Sequence, residues 1–206
     1  MINNKIIKVC GMREGGNIRE VEELGVDWLG FIFYHKSPRH VNKLPDYLPT
    51  KAKRIGVFVN ETKENILTII DRFSLNYVQL HGNESPKYCD NIRNKGAKVI
   101  KAFSLKHAND VMLTDYYDSV CDYFLFDTKC KQYGGSGNLF DWEILQHYQG
   151  NTCFLLSGGI NEHSADSLNE FKHPQLIGYD INSRFEITPG LKDTERIVNF
   201  LNDLKQ

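Results

Sequence analysis

Two residues in this chain have side chains suited to moving protons, and each stands where a short apolar run ends. Cys10 closes Lys5-Ile6-Ile7-Lys8-Val9-Cys10-Gly11, and Asp127 closes Tyr123-Phe124-Leu125-Phe126-Asp127. A thiol and a carboxyl facing each other across a pocket suit a proton-transfer enzyme. Each also has a plainer reading. Cys10 could be a core thiol, because reactivity needs a cationic or dipolar neighbour; Lys8, two residues earlier, would share its face of a strand. Asp127 could simply cap the next turn.

Anion-binding candidates cluster later in the chain. Ser157-Gly158-Gly159 follows one apolar run and precedes a helical pattern, so its exposed N–H groups and the helix start can hold a phosphate. Glycine is equally at home in any tight turn. Tyr133-Gly134-Gly135-Ser136-Gly137 is either a flexible loop or a glycine-hinged lid that closes over substrate. Arg39, in Ser37-Pro38-Arg39-His40, is an anchor for an anionic group or a solvated charge. His81 is a proton donor or a satisfied turn residue.

Eight short apolar runs, most followed by a helical stretch, would have to position these groups. The strands are read at 5–10, 26–33, 54–59, 77–80, 98–102, 123–127, 152–156 and 176–180. The helices are read from Asn17 as cap to Leu24, then over 64–73, from Ser85 with Pro86 at its first position, and over 109–117, 141–147, 162–171 and 193–204. A further short helix over 44–48 is interrupted by Pro45 and Pro49. Strand–helix alternation implies parallel βαβ units with right-handed crossovers. Eight units favour an α/β fold of the closed (β/α)8, or TIM barrel, kind over a doubly wound open sheet, which usually has six strands. In such a barrel all strand C-termini meet at one mouth, so Cys10 and Asp127 would converge there. The expected organisation is one catalytic domain over 1–206.

With 41% hydrophobic and 25% charged residues the chain has an ordinary globular composition, and a net charge of −1 gives no reason to expect nucleic acid. No apolar run approaches the ~20 residues of a membrane span, and the N-terminus lacks a signal-peptide core. A cytoplasmic location is the expectation. The five cysteines (Cys10, Cys89, Cys121, Cys130, Cys153) form no C-x-x-C pair, so neither a zinc site nor a disulfide framework is expected. Cys89, Cys121 and Cys153 read as small buried hydrophobes.

Taken together these segments resemble the phosphoribosylanthranilate isomerase family, barrel enzymes of tryptophan biosynthesis. The resemblance is carried by Lys8-Val9-Cys10-Gly11; Gly30-Phe31-Ile32-Phe33-Tyr34 through Ser37-Pro38-Arg39; Gly56-Val57-Phe58-Val59-Asn60; and Val78-Gln79-Leu80-His81-Gly82. It continues through Phe126-Asp127-Thr128-Lys129, the 133–137 loop, Phe140-Asp141-Trp142 and Leu156-Ser157-Gly158-Gly159. It implies an Amadori rearrangement by general acid–base catalysis, with Asp127 as acid and Cys10 as base, and no metal or organic cofactor. It further implies a phosphosugar substrate held by Arg39 at the anthranilate, by Gly158, Gly159, Asn182 and Ser183 at the phosphate, and by Asp180 near the sugar. His81 and Gly135 complete the expected substrate-binding set. One departure stands out: the family's Ser-Ser-Gly-type turn reads Asn182-Ser183-Arg184 here. Either that turn no longer needs a positive φ, or Arg184 supplies a charge to the phosphate; the second is the expectation. A monomer is expected, with a homodimer as the alternative. Two other readings compete: a metal-dependent phosphosugar epimerase, for which His35 and His81 are the only nearby histidines, and a catalytically silent binder on the same fold.

Overall fold

The computed structural model describes residues 1–105, 107–128 and 142–205. Eight parallel strands close into a barrel in chain order: β1 (Ile6–Val9), β2 (Trp28–Ile32), β3 (Lys53–Phe58), β4 (Tyr77–Leu80), β5 (Lys98–Leu105), β6 (Tyr123–Thr128), β7 (Phe154–Ser157) and β8 (Leu176–Ile181). Closure comes from β1 pairing β8, with Lys8 opposite Asp180 and Val9 opposite Ile181.

Alternation along each strand sends side chains to two cores. On β6, Phe124 and Phe126 face outward into the large layer between barrel and helices, while Leu125 joins an interior cluster with Trp28, Ile55, Ile100, Ala102 and Leu155. Trp28, Tyr77 and Tyr123 stack at the lower end of that interior, with ring centroids 4.8 to 5.8 Å apart. The lower end is thereby filled, and open space is left at the strands' C-terminal end.

The outer layer is α1 (Gly15–Glu23), α2 (Lys63–Phe73), α3 (Pro86–Arg93), α4 (Ala165–Glu170) and α5 (Thr194–Asp203), with 3₁₀ stretches at Ala108–Tyr117 and Trp142–His147. Ser85 caps α3 through its hydroxyl, with Pro86 at the start, as the sequence suggests. Asn17 does not cap α1. The cap is Glu14, and Asn17 is buried, exchanging hydrogen bonds of 2.9 and 2.7 Å with the backbone of Lys192. Residues 44–48 form no helix. Pro45 and Pro49 lack N–H donors and push their predecessors toward extended backbone. The helices expected over 109–117 and 141–147 are 3₁₀ rather than α where described, at Ala108–Tyr117 and Trp142–His147, and Cys153 is half-buried while Cys89 and Cys121 are buried.

A feature absent from the sequence reading is an antiparallel hairpin after β8, β9 (Glu186–Thr188) and β10 (Leu191–Lys192). Its turn, Pro189-Gly190, places Gly190 at φ +89°, which glycine adopts freely. Among the described residues no helix is long and apolar enough to cross a membrane.

Candidate active site

The inward parity of each strand, followed one step past its end, gives the walls of a cavity of about 310 Å³. Cys10 comes from β1, Ile32 from β2, Val57 and Val59 from β3, and Gln79 and His81 from β4. Asp127 comes from β6, Ser157 with Gly158 and Gly159 from β7, and Asp180, Asn182 and Ser183 from β8. Cys10 and Asp127 thus share one cavity with six other expected site residues, His81, Gly158, Gly159, Asp180, Asn182 and Ser183, while Arg39 and Arg184 do not line it. Gly135 and the 133–137 loop lie outside the described residues.

Cys10 is buried at 4% exposure. Its sulfur occupies room that only a glycine on β2 leaves: a Cβ on Gly30 would come within 2.9 Å of Sγ. Burial pushes the thiol's pKa up, opposed by the ammonium groups of Lys8 and Lys192 and reinforced by the Asp180 carboxylate. Lys8 shares the inward face of β1 and is fully buried, with Nζ 2.7 Å from Asp180 Oδ1. Its own pKa is pulled down by burial, but Asp180 and Cys10 outweigh that and raise it. A permanent cation therefore sits between the barrel's closing carboxylate and the thiol.

Across the mouth, Asp127 is about one-third exposed and faces His81, Nε2 lying 3.8 Å from Oδ2. The other His81 ring nitrogen is held by Gln79, with Nε2 and Nδ1 2.8 Å apart. After β7, Gly158 and Gly159 both take positive φ (+89° and +60°), backbone that glycine adopts without strain. Ser157 donates to Asp180 Oδ2 at 3.3 Å.

The turn after β8 runs from Asn182 through a short 3₁₀ turn, Ser183–Phe185. Arg184 is not among the positive-φ residues, so an arginine fits this turn without backbone strain. Its side chain is exposed and does not line the cavity.

Arg39 stands at the rim, and its guanidinium is already engaged. Nε reaches Glu186 Oε1 and Oε2 at 2.9 and 3.0 Å, and Nη2 reaches Oε2 at 2.6 Å. Lys192, fully buried, closes the set from below with Nζ 2.7 Å from both Glu186 Oε1 and Asn182 Oδ1. Burial works to raise the Glu186 carboxyl, but hydrogen bonds from Arg39, Lys192 and the Gly190 N–H outweigh it and hold it below the ordinary value. Neither Glu186 nor Lys192 was a sequence candidate. The available signal was Pro189-Gly190, a turn dipeptide that folds the two residues back together.

Paired proton-transfer groups and a glycine turn on the C-terminal mouth of a closed (β/α)8 barrel define the class: an acid–base barrel enzyme with an anion-binding rim. The family model for N-(5'-phosphoribosyl)anthranilate (PRA) isomerase matches residues 7–203. The N-(5'-phosphoribosyl)anthranilate isomerase of Phocaeicola vulgatus is 53% identical over 201 residues, covering 98% of each chain. Two solved structures cover 98% of each chain. One is a phosphoribosyl anthranilate isomerase in complex with reduced 1-(o-carboxyphenylamino)-1-deoxyribulose 5-phosphate, with TM-score 0.82 and 31% identity. The other represents monomers of the dimeric phosphoribosylanthranilate isomerase of Thermotoga maritima, with TM-score 0.81 and 30% identity. The chain belongs to the phosphoribosylanthranilate isomerase family.

Proposed function

We propose that this chain converts N-(5-phosphoribosyl)anthranilate to 1-(2-carboxyphenylamino)-1-deoxyribulose 5-phosphate in tryptophan biosynthesis, working in the cytoplasm as one catalytic domain. The observation that carries this reading is the single cavity into which Cys10, Asp127, Gly158 and Gly159 all open. Asp127 gives its proton to the ribose ring oxygen as the C1–O bond breaks, leaving an imine cation at C1. Cys10, as thiolate, takes the proton from C2, whose acidity the neighbouring cation raises. The resulting enolamine gains a proton at C1 and loses the one on its C2 hydroxyl, giving the ketone. The competent form has its proton on Asp127 and none on Cys10; Lys8 and Lys192 favour the thiolate but only partly counter burial and Asp180, which keep the thiol's pKa above its ordinary value.

The N–H groups after β7, with the Asn182–Ser183 turn, suit the 5′-phosphate, and the exposed Arg184 guanidinium is free to meet it from the solvent side. Arg39 suits the anthranilate carboxylate, and His81 the substrate beside Asp127. A monomer is the proposed state, and the dimeric relative makes a homodimer the alternative.

The test is an isomerase assay on substrate generated in situ from anthranilate and phosphoribosyl pyrophosphate, following the loss of its fluorescence with EDTA present. Wild type turns over, and Cys10→Ser and Asp127→Asn each lower kcat by roughly 10²–10⁴, the scale for losing one general acid or base. Absence of turnover in wild type, or full activity in either variant, overturns the reading.

A further inference from the structure

We propose that Glu186 is a positioning residue for Arg39, fixing which edge of the guanidinium meets the substrate and so setting a preference for a carboxylated aromatic amine. The inference rests on the reading of Arg39 given above. A guanidinium offers five donors along its edges. Glu186 occupies the Nε–Nη2 edge with three contacts, and among the described residues Nη1 takes no partner. An incoming carboxylate cannot share the edge that Glu186 holds, because two anions would then face each other; it must take the Nη1 side.

The clamp is built to stay put. Glu186 is 4% exposed and Lys192 0%, while Arg39 keeps 19%. Gly190 N–H and Lys192 Nζ both donate to Oε1, so the carboxylate remains pinned when substrate arrives. The arginine stem lies against the backbone just after Cys10, where a Cβ on Gly11 would be 2.7 Å from Arg39 Cδ. Its head is therefore placed by the same turn that places the base. Glu186, Arg39 and Lys192 together keep a single net positive charge, which a substrate carboxylate neutralises. The hairpin β9–β10 thus acts as a bracket, joining the loop after β2 to the turn after β8.

The experiment compares two ligands made by reductive amination of ribose 5-phosphate: 1-(o-carboxyphenylamino)- and 1-anilino-1-deoxyribitol 5-phosphate. They differ only in the carboxylate. Kd for each is measured by calorimetry with wild type, Glu186→Asp and Arg39→Lys. Aspartate keeps the charge but withdraws it by one methylene, so the field is preserved and the grip is lost. Glu186→Asp is expected to weaken the carboxylated ligand about tenfold, the scale of one charge-assisted hydrogen bond, and to leave the anilino ligand within about twofold. Arg39→Lys should lose the same preference. Equal weakening of both ligands by Glu186→Asp makes the clamp a mere loop staple and overturns the proposal, as does no change in either. If Arg39→Lys keeps the full preference, the assignment of Arg39 to the carboxylate fails first, a separate result. Should Glu186→Asp not fold, a crystal structure of wild type with the carboxylated ligand decides. The proposal requires Glu186 still on Nε and Nη2 with the ligand on Nη1, and a displaced Glu186 overturns it.

Discussion

Replacing Lys8 by methionine removes the cation that lies between Asp180 and Cys10 while keeping an unbranched side chain in the barrel. The pair is buried, at 0% and 6% exposure, with 2.7 Å between Nζ and Oδ1. Two unit charges roughly 4 Å apart in an effective dielectric of about 20 interact by about 4 kcal/mol. Rearrangement of the remaining dipoles returns part of this, and losing the Lys8 cation moves the buried Cys10 thiol further above its ordinary value. Site-resolved alkylation by iodoacetamide, read by mass spectrometry against pH, reports the thiolate fraction at Cys10 directly. At a pH below the thiol's pKa, Lys8→Met should slow that reaction roughly 10- to 1,000-fold. Asp180→Asn, which removes a like charge, should instead speed it. Both variants break a buried pair and should cost about 3–5 kcal/mol of stability, or roughly 6–20 °C in Tm. Loosening alone would expose the thiol and accelerate alkylation in both. Opposite signs support the electrostatic account, and acceleration in both refutes it.

Gly159→Ala forces a Cβ into φ +60°, a left-handed position that costs an L-residue about 1–2 kcal/mol. KM should rise about tenfold with kcat nearly unchanged, and inhibition by inorganic phosphate should weaken in parallel; an unchanged KM removes this turn from phosphate binding. Arg184→Gly should raise KM more than it lowers kcat, and an unaltered KM in steady-state assays would leave Arg184 a solvated turn residue. The Glu186 carboxyl is held below its ordinary value, so its contribution to stability is fully present above about pH 4.3 and is lost as pH falls through the lower folded value. Urea midpoints measured from pH 6 downward should therefore fall more steeply below about pH 4.3 in wild type than in Glu186→Gln. Parallel curves would contradict the assignment.

The barrel was legible because each strand is short, apolar and followed by turn chemistry, so alternation alone orders β1 to β8. What failed did so locally. Asn17 looks like a cap, yet its amide is taken by the Lys192 backbone, a partner 175 residues away. The hairpin β9–β10 is too short to show a period, and only its Pro189-Gly190 turn betrays it. Arg39 could be read as an anchor or as a solvated charge because its partner, Glu186, lies 147 residues on. No local pattern encodes a contact of that range.

Cys10 illustrates how a residue that is chemically ambiguous in sequence becomes specific through closure. Alternation puts Lys8 and Cys10 on one face of β1, but a lone buried ammonium there would be costly. The β1–β8 pairing sets Lys8 opposite Asp180, so the cation is neutralised by the seam of the barrel itself. Lys192 arrives independently, from a hairpin that exists only because the chain turns back after β8. The thiol is therefore tuned by two ammonium groups with separate structural origins, one from barrel closure and one from the rim. Removing Lys8 should disturb Cys10 and leave the Arg39–Glu186 clamp intact. Disturbing the clamp should change ligand preference before it changes the thiol.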